Sequence, residues 1–339
     1  MTLLNFEDRR TNMHKQRGFS IVELMIGLTI GLLMLTVLST LLVNNSQARV
    51  ELDRTMQQVE NGRYAMQTMF SELRLAGYYG DGEAVGAVPV AVPDPCATDM
   101  ASLKAAIPVS VQGYSQVAAT PLACLSNANI KAGTDILVVR RALSEPTAVA
   151  SLNAAYPYIQ TMGDEMVFNT GTNSASFTLT EISGAAAKIR RYMVQIYFIS
   201  PCSKPADGCS ASSDGGKPVP TLNRLELDPS KPGGWDTVSL VEGIERMRVE
   251  YGLDTDGDGA PDSYVLTNAT AANWNKVVSL NVGLLARNNR ATPGHLDKKT
   301  YQLATLNVAA ANDQFKRHAY NGVVKLKNVG DRLLDRDGS

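Results

Sequence analysis

The chain has 339 residues, 19% of them charged, and its 32 Lys+Arg against 33 Asp+Glu leave a formal charge of −1. A balance so close to neutrality offers no electrostatic footprint for a polyanion, and no basic run with interleaved aromatics argues for nucleic acid. About 260 residues follow the long helix that opens the chain, enough for one large domain or two small ones.

Residues 1–18 form a basic leader, with Arg9, Arg10, Lys15 and Arg17 against Glu7 and Asp8. Without it the count falls to 28 Lys+Arg and 31 Asp+Glu, a charge of −3. Basic residues flanking an apolar helix stay on the cytoplasmic side, so everything after Val43 is expected outside. Met1 and Met13 are both workable starts. The run from Phe19 to Val43 holds 25 residues, and Glu23 is its only charged one. That length spans a bilayer as a helix, which needs about 20 apolar residues. A carboxylate inside such a helix costs roughly 2.5–3.5 kcal/mol on insertion scales, so Glu23 calls for a partner. A secretory signal has a shorter apolar core and is cut after it. A plain anchor fits the length but leaves Glu23 without a purpose.

The octapeptide Arg17-Gly18-Phe19-Ser20-Ile21-Val22-Glu23-Leu24 resembles the processing site of type IV pilins and type II secretion pseudopilins. The resemblance implies cleavage after Gly18 by prepilin peptidase and N-methylation of Phe19. It also implies an assembly role for Glu23, the fifth residue of the mature chain. Major pilins often carry a proline in the apolar half of this helix; here there is none.

Beyond Val43 the helix is expected to continue as an amphipathic half, residues 44–76. Apolar residues recur there as Leu52, Met56, Val59, Met66, Phe70 and Leu73, one helical stripe set to pack on a globular domain. Gly77-Tyr78-Tyr79-Gly80-Asp81-Gly82 terminates it. One helix from Phe19 to Ala76, 58 residues, would be about 87 Å long. Gly27 and Gly31 form a small-xxx-small pair, read equally as close packing or as ordinary glycine content. A linker at 77–95, with Pro89, Pro93 and Pro95, precedes a β-rich domain at 96–339. Strands are predicted at Ile136–Val139, Ser176–Thr180, Ile189–Ile199, Arg224–Leu227, Glu245–Tyr251, Val277–Leu285 and Val323–Leu326. The predicted class is α+β, pilin-like, with a mostly antiparallel sheet packed on the long helix.

Cys96, Cys124, Cys202 and Cys209 all lie on the exported side, where four thiols form two disulfides with three connectivities open. Nearest-neighbour pairing, Cys96–Cys124 and Cys202–Cys209, is expected. A zinc site would lack the close ligand pairs that zinc uses. Asp254-Thr255-Asp256-Gly257-Asp258-Gly259-Ala260-Pro261-Asp262 reproduces the front of a calcium loop. Position 12 is Val265 in place of the bidentate glutamate, so Ca²⁺ would be held weakly by Asp254, Asp256, Asp258 and Asp262. The competing explanation is a solvated Asp/Gly turn between Val249–Leu253 and Ser263–Leu266. No cofactor is otherwise required.

Leu73-Arg74-Leu75-Ala76-Gly77-Tyr78, Gly133-Thr134-Asp135-Ile136-Leu137-Val138-Val139-Arg140, Leu284-Leu285-Ala286-Arg287 and Val323 to Asn328 resemble the PilW group of minor pilins. That group is related to the J-type pseudopilins. The resemblance implies a minor pilin that helps to initiate a type IV pilus and sits in its tip complex, serving biogenesis, twitching motility and adhesion. Its partners would be other minor pilins, the major pilin, prepilin peptidase, the inner-membrane assembly platform and a tip adhesin. Its place would be the bacterial inner membrane, single-pass, and the surface pilus after assembly. The alternative within the fold is a J-type pseudopilin of a secretion pseudopilus. A membrane-tethered periplasmic hydrolase is the alternative from another class. An enzyme is not expected, because His14, His295 and His318 stand apart and no nucleophile–base–acid pattern accompanies them.

Overall fold

The computed structural model describes residues 18–83 and 85–337. Helix α1 (Ile21–Leu73) is continuous, as the absence of proline allows. Two compact units meet within it, between Asp53 and Arg54. In the first unit the apolar segment from Phe19 to Val43 is exposed along its length. Thr29, Thr36 and Thr40 each donate a hydroxyl to the carbonyl three residues back, at 2.9, 2.7 and 2.8 Å. Their polar atoms are thus satisfied within the helix, which suits them to an apolar medium.

The second unit begins at Arg54 and contains the sheets. Its larger sheet has eight strands: β1 (Asp81–Gly82), β2 (Val111–Val117), β3 (Thr134–Ala142), β4 (Pro157–Gly163), β5 (Glu165–Thr170), β6 (Ile189–Ser200), β7 (Thr221–Leu227) and β8 (Trp235–Glu242). β6 is its centre, pairing with β3, β4 and β7, and β1 on β4 is the one parallel pair. A second sheet is built from β9 (Ile244–Leu253), β10 (Ser263–Val265), β11 (Val277–Arg287) and a later strand, β14 (Arg317–Lys325), in the order β10-β9-β11-β14. A small hairpin of β12 (Tyr301–Leu303) and β13 (Leu306–Val308) stands between them in sequence.

The face that α1 buries follows the expected apolar stripe at Met66, Phe70 and Leu73 but leaves it nearer the N-terminus. Gln58, Gly62, Ala65, Met69 and Leu73 are the buried positions, at helical spacing. Leu52, Met56 and Val59 remain exposed, while Met66 and Phe70 pack on the core from its margin. Small residues decide this, because they let the helix approach the sheet closely. A Cβ on Gly62 would lie 2.1 Å from the Tyr320 ring, and one on Gly322 would lie 2.7 Å from Phe70. Gln58 enters the buried face because its amide donates to the carbonyls of Ala286 and Lys316, both at 3.0 Å.

The helix stops at Leu73, three residues before the expected end, and the carbonyls of the turn that follows are taken up by tertiary groups. Asn328 donates to the carbonyls of Arg74 and Ala76 at 3.1 and 3.2 Å. Gly77, at φ +72°, turns the chain and donates its N–H to Arg140 O at 2.9 Å. Glu72 is gripped by Arg141 of β3 at 2.5 Å and faces Arg224 of β7 at 3.5 Å. Within 77–95, Val85, Val88 and Val92 lie against the core, Val90 is exposed, and Gln112 donates to Pro93 O at 3.1 Å.

Six of the seven predicted strands are present, most of them longer than expected. Ser176–Thr180 is not a strand. Its one sheet-like pairing is the bridge from Thr180 to Ala186. The side chain of Gln160 takes the place of a strand partner, accepting from Leu179 N–H at 3.0 Å and donating to Leu179 O and Ala187 O at 3.3 and 2.7 Å. The strands β2, β4, β5 and β8 were not anticipated, since none carries a clean alternation of apolar and polar residues.

Candidate functional site

Gly18 and Phe19 lie before the helix begins, both exposed and outside regular structure. The bond between them is therefore on accessible, non-helical backbone, as a peptidase requires. Leu24 N–H donates to Ser20 O at 3.0 Å and closes the first turn. Glu23 stands in that turn, where the helix N-terminus favours a negative charge. The leader residues 1–17, Arg17 and both candidate starts included, lie outside the described residues.

The structure pairs Cys96 with Cys124 and Cys202 with Cys209, at S–S distances of 2.07 and 2.01 Å. The first bond joins the end of the 77–95 segment to the loop after β2. The second closes a short loop after β6, which Asp214 orders by accepting from Ser203 and Val219 N–H at 3.1 and 2.8 Å.

In the aspartate loop, Asp254 is buried and accepts from the amides of Gly257 and Gly259 at 2.6 and 2.8 Å. Asp262 accepts from Thr255 N–H and hydroxyl at 2.7 and 2.5 Å, and these two bonds hold its carboxyl below the usual range. Oxygens of Asp254, Asp256 and Asp262 come within 4.8 Å of one another, a spacing that one hard cation can bridge. Asp258 is not among them and accepts instead from Ala260 N–H at 2.7 Å. The same residues also form the turn of a hairpin, since β9 and β10 pair through Leu253 and Ser263.

Among the described residues, His295 and His318 are not brought together with a nucleophile. His318 packs its ring on Tyr320, centroids 4.7 Å apart, and the amide of His295 donates to Thr292 O.

Two charged groupings join residues far apart in the sequence. Asp135 of β3 reaches the second sheet, accepting from Val249 N–H at 2.8 Å and facing Arg248 at 3.4 Å; burial nonetheless pushes its pKa up. Arg317 meets Glu245, Asp297 and Asp313 at 2.6, 3.0 and 2.6 Å. Burial opposes ionisation of Glu245, but the Arg317 guanidinium outweighs it and holds the carboxyl below its ordinary value. Asp313 is lowered chiefly by its hydrogen bond to the same guanidinium. Only Asp313 is near in sequence, so no local pattern announces this cluster.

The model of type IV pilus-assembly protein W, PilW, matches residues 197–328, from the end of β6 to just beyond β14. The prokaryotic N-terminal methylation motif matches residues 13–39. Among solved structures, a type IV-like pilin from Thermus thermophilus is similar over 80% of this chain and 97% of its own, with 12% identity and a TM-score of 0.34. No curated protein matches the chain. With the methylation motif at its head and the PilW segment from the end of β6 onward, the chain is similar to type IV pilus-related pilins of the PilW type.

Proposed function

We propose that this chain is a minor pilin that initiates assembly of a type IV pilus and remains in the complex at its tip. One observation supports this most. A single carboxylate, Glu23, stands in the first turn of an otherwise uncharged, exposed helical run, directly after a cleavable glycine. Once Gly18 is removed, Phe19 carries a cationic amine, and Glu23 follows one helical turn later. In lipid each charge alone is unfavourable, and pairing across subunits offsets both. An incoming subunit then senses a docked neighbour through its own terminus, which sets axial register. The apolar surface from Ile21 to Val43 supplies packing. The basic leader keeps the N-terminus cytoplasmic and the sheets periplasmic until the pilus forms. Partners in this reading are prepilin peptidase, the inner-membrane assembly platform, the other minor pilins, the major pilin and a tip adhesin. Pilus biogenesis, twitching and adhesion are the outputs.

Glu23→Ala is expected to be cleaved and inserted, because the change makes the segment more apolar. It is expected to lose the other minor pilins on co-purification and to reduce surface pili severalfold. Normal piliation with normal partner recovery would reduce residues 19–43 to a plain anchor.

A further inference from the structure

β14 is the edge of the four-stranded sheet, paired with β11 on one side and with no described strand on the other. The direction of its backbone groups follows from two bonds at its ends. Asn288 N–H donates to Lys316 O at 3.1 Å, and Leu326 N–H donates to Val278 O at 2.7 Å. In an antiparallel pair the N–H and C=O of one residue point to the same side, and successive residues alternate. Even-numbered residues therefore bond to β11. Arg317, Ala319, Asn321, Val323 and Lys325 direct their N–H and C=O outward, and among the described residues these groups have no partner. A nine-residue edge is long to leave open, and this one carries no proline or bulge to blunt it. Val323 is 59% exposed in its middle.

The surroundings select the kind of strand that fits. On the helix side the edge presents the rings of His318 and Tyr320 in edge-to-face contact, with Met66 and Phe70 beyond. On the other face Ala319 and Asn321 meet the β12–β13 hairpin, and Val323 and Lys325 stand open. Neither Lys325 nor Arg63, which follows Gly62 beneath Tyr320, forms an ion pair among the described residues. A second copy of this chain fits poorly. Gln58 lies at Lys316, Gly62 at Tyr320 and Phe70 at Gly322, so α1 and β14 run the same way. An antiparallel copy centred on Asn321 would set Lys325 against Arg317, two cations. A parallel copy would set Lys325 against Lys325.

We propose that β14 is a port for strand addition, taking an extended segment of a different chain in the pilus complex. That segment is apolar at alternate positions and carries a carboxylate where it meets Lys325. The ladder of backbone hydrogen bonds supplies affinity, and the alternate side chains supply selectivity. The inference rests on the pilin reading, and its test separates the two. The full chain is recovered from membranes with its partner pilins, and amide exchange is compared with that of the chain alone. Exchange at Ala319, Val323 and Lys325 is expected to slow at least tenfold in the complex. Val323→Pro deletes an outward N–H while leaving the ladder to β11 intact. It is expected to cut partner recovery at least tenfold, with processing and melting temperature near normal. Ala319→Pro makes the same deletion at a second position should Val323→Pro fold poorly. Unchanged exchange at these amides in the complex overturns the proposal whatever the variants do. Val323-dependent retention of an untagged copy by a tagged one also overturns it, since the occupant would then be this chain. If Glu23→Ala loses its partners while both proline variants keep theirs, the pilin reading stands and strand addition falls.

Discussion

Gly62 and Asp254 show how single residues set the form of this protein. Gly62 is an unfavourable helix residue in isolation, by about 1 kcal/mol relative to alanine. It is used because the ring of Tyr320 occupies the space where its Cβ would be, with the phenol donating to Val59 O at 3.1 Å. Gly62→Ala should therefore destabilise by about 1–2 kcal/mol, overpacking outweighing the gain in propensity. Denaturant titration checks this, and the loss should vanish in a Tyr320→Ser background if the ring is its cause. Asp254 holds two glycine amides in the aspartate loop, so Asp254→Ala should destabilise by about 2–3 kcal/mol in the absence of any ion. We propose weak calcium binding at the same loop through Asp254, Asp256 and Asp262. A rise in melting temperature that saturates in millimolar Ca²⁺ and disappears in Asp256→Ala is the expected result. An unchanged melting temperature would leave the turn as the loop's whole role.

At the scale of elements, the segment between α1 and the first long strand is tied down at three kinds of contact. Valines lie on the core, Gln112 bonds to Pro93 O, and Cys96 is bonded to Cys124. The two disulfides differ in what they constrain, with sequence separations of 28 and 7. In the chain-entropy model these are worth about 3–4 and about 2–3 kcal/mol. Replacing Cys96 and Cys124 together by serine should lower stability more than the same change at Cys202 and Cys209. Equal losses would show that native contacts, not loop closure, dominate. The four-residue run Ile136–Val139 was legible as a strand because every residue is apolar. The sheet-facing side of α1 was legible only toward its end, where Met66, Phe70 and Leu73 meet the core; at Gln58 and Gly62 the approach distance to β14 chose it instead.

The whole molecule responds to acid through the groups whose charge its folding favours. Glu245 and Asp313 have pKa values below their ordinary ones, held there by Arg317 against burial in the case of Glu245. Asp228, accepting from Ser230 and Tyr156, is lowered to about 2. A carboxyl whose folded pKa is depressed contributes stability above its unfolded value near 4, and that stability is lost as pH falls through the folded value. Stability should therefore be flat from neutrality to about pH 5 and decline below it. Arg317→Met should be less stable at pH 7 by about 3–5 kcal/mol, leaving Asp297 and Asp313 without their cation and Glu245 with Lys131 alone at 3.6 Å. It should also show a shallower decline on acidification, measured by melting temperature across pH 2 to 7. A decline as steep as the parent's would place the acid response elsewhere.

What the sequence determined by itself was local: an uncharged run with one acid, a glycine before it, no proline to break the helix, and cysteines close enough in the chain to meet. Each is a property of neighbouring residues, and the pilin resemblance could be read from them. The tertiary structure decided which face of α1 is buried around Gln58 and Gly62, that Gln160 stands in for a strand at Leu179, and that Asp135 and Arg317 join distant elements. It also decided that β14 is an edge. Whether a strand is central or peripheral depends on which partners reach it, and those partners lie tens of residues away. No periodicity within the strand records that choice.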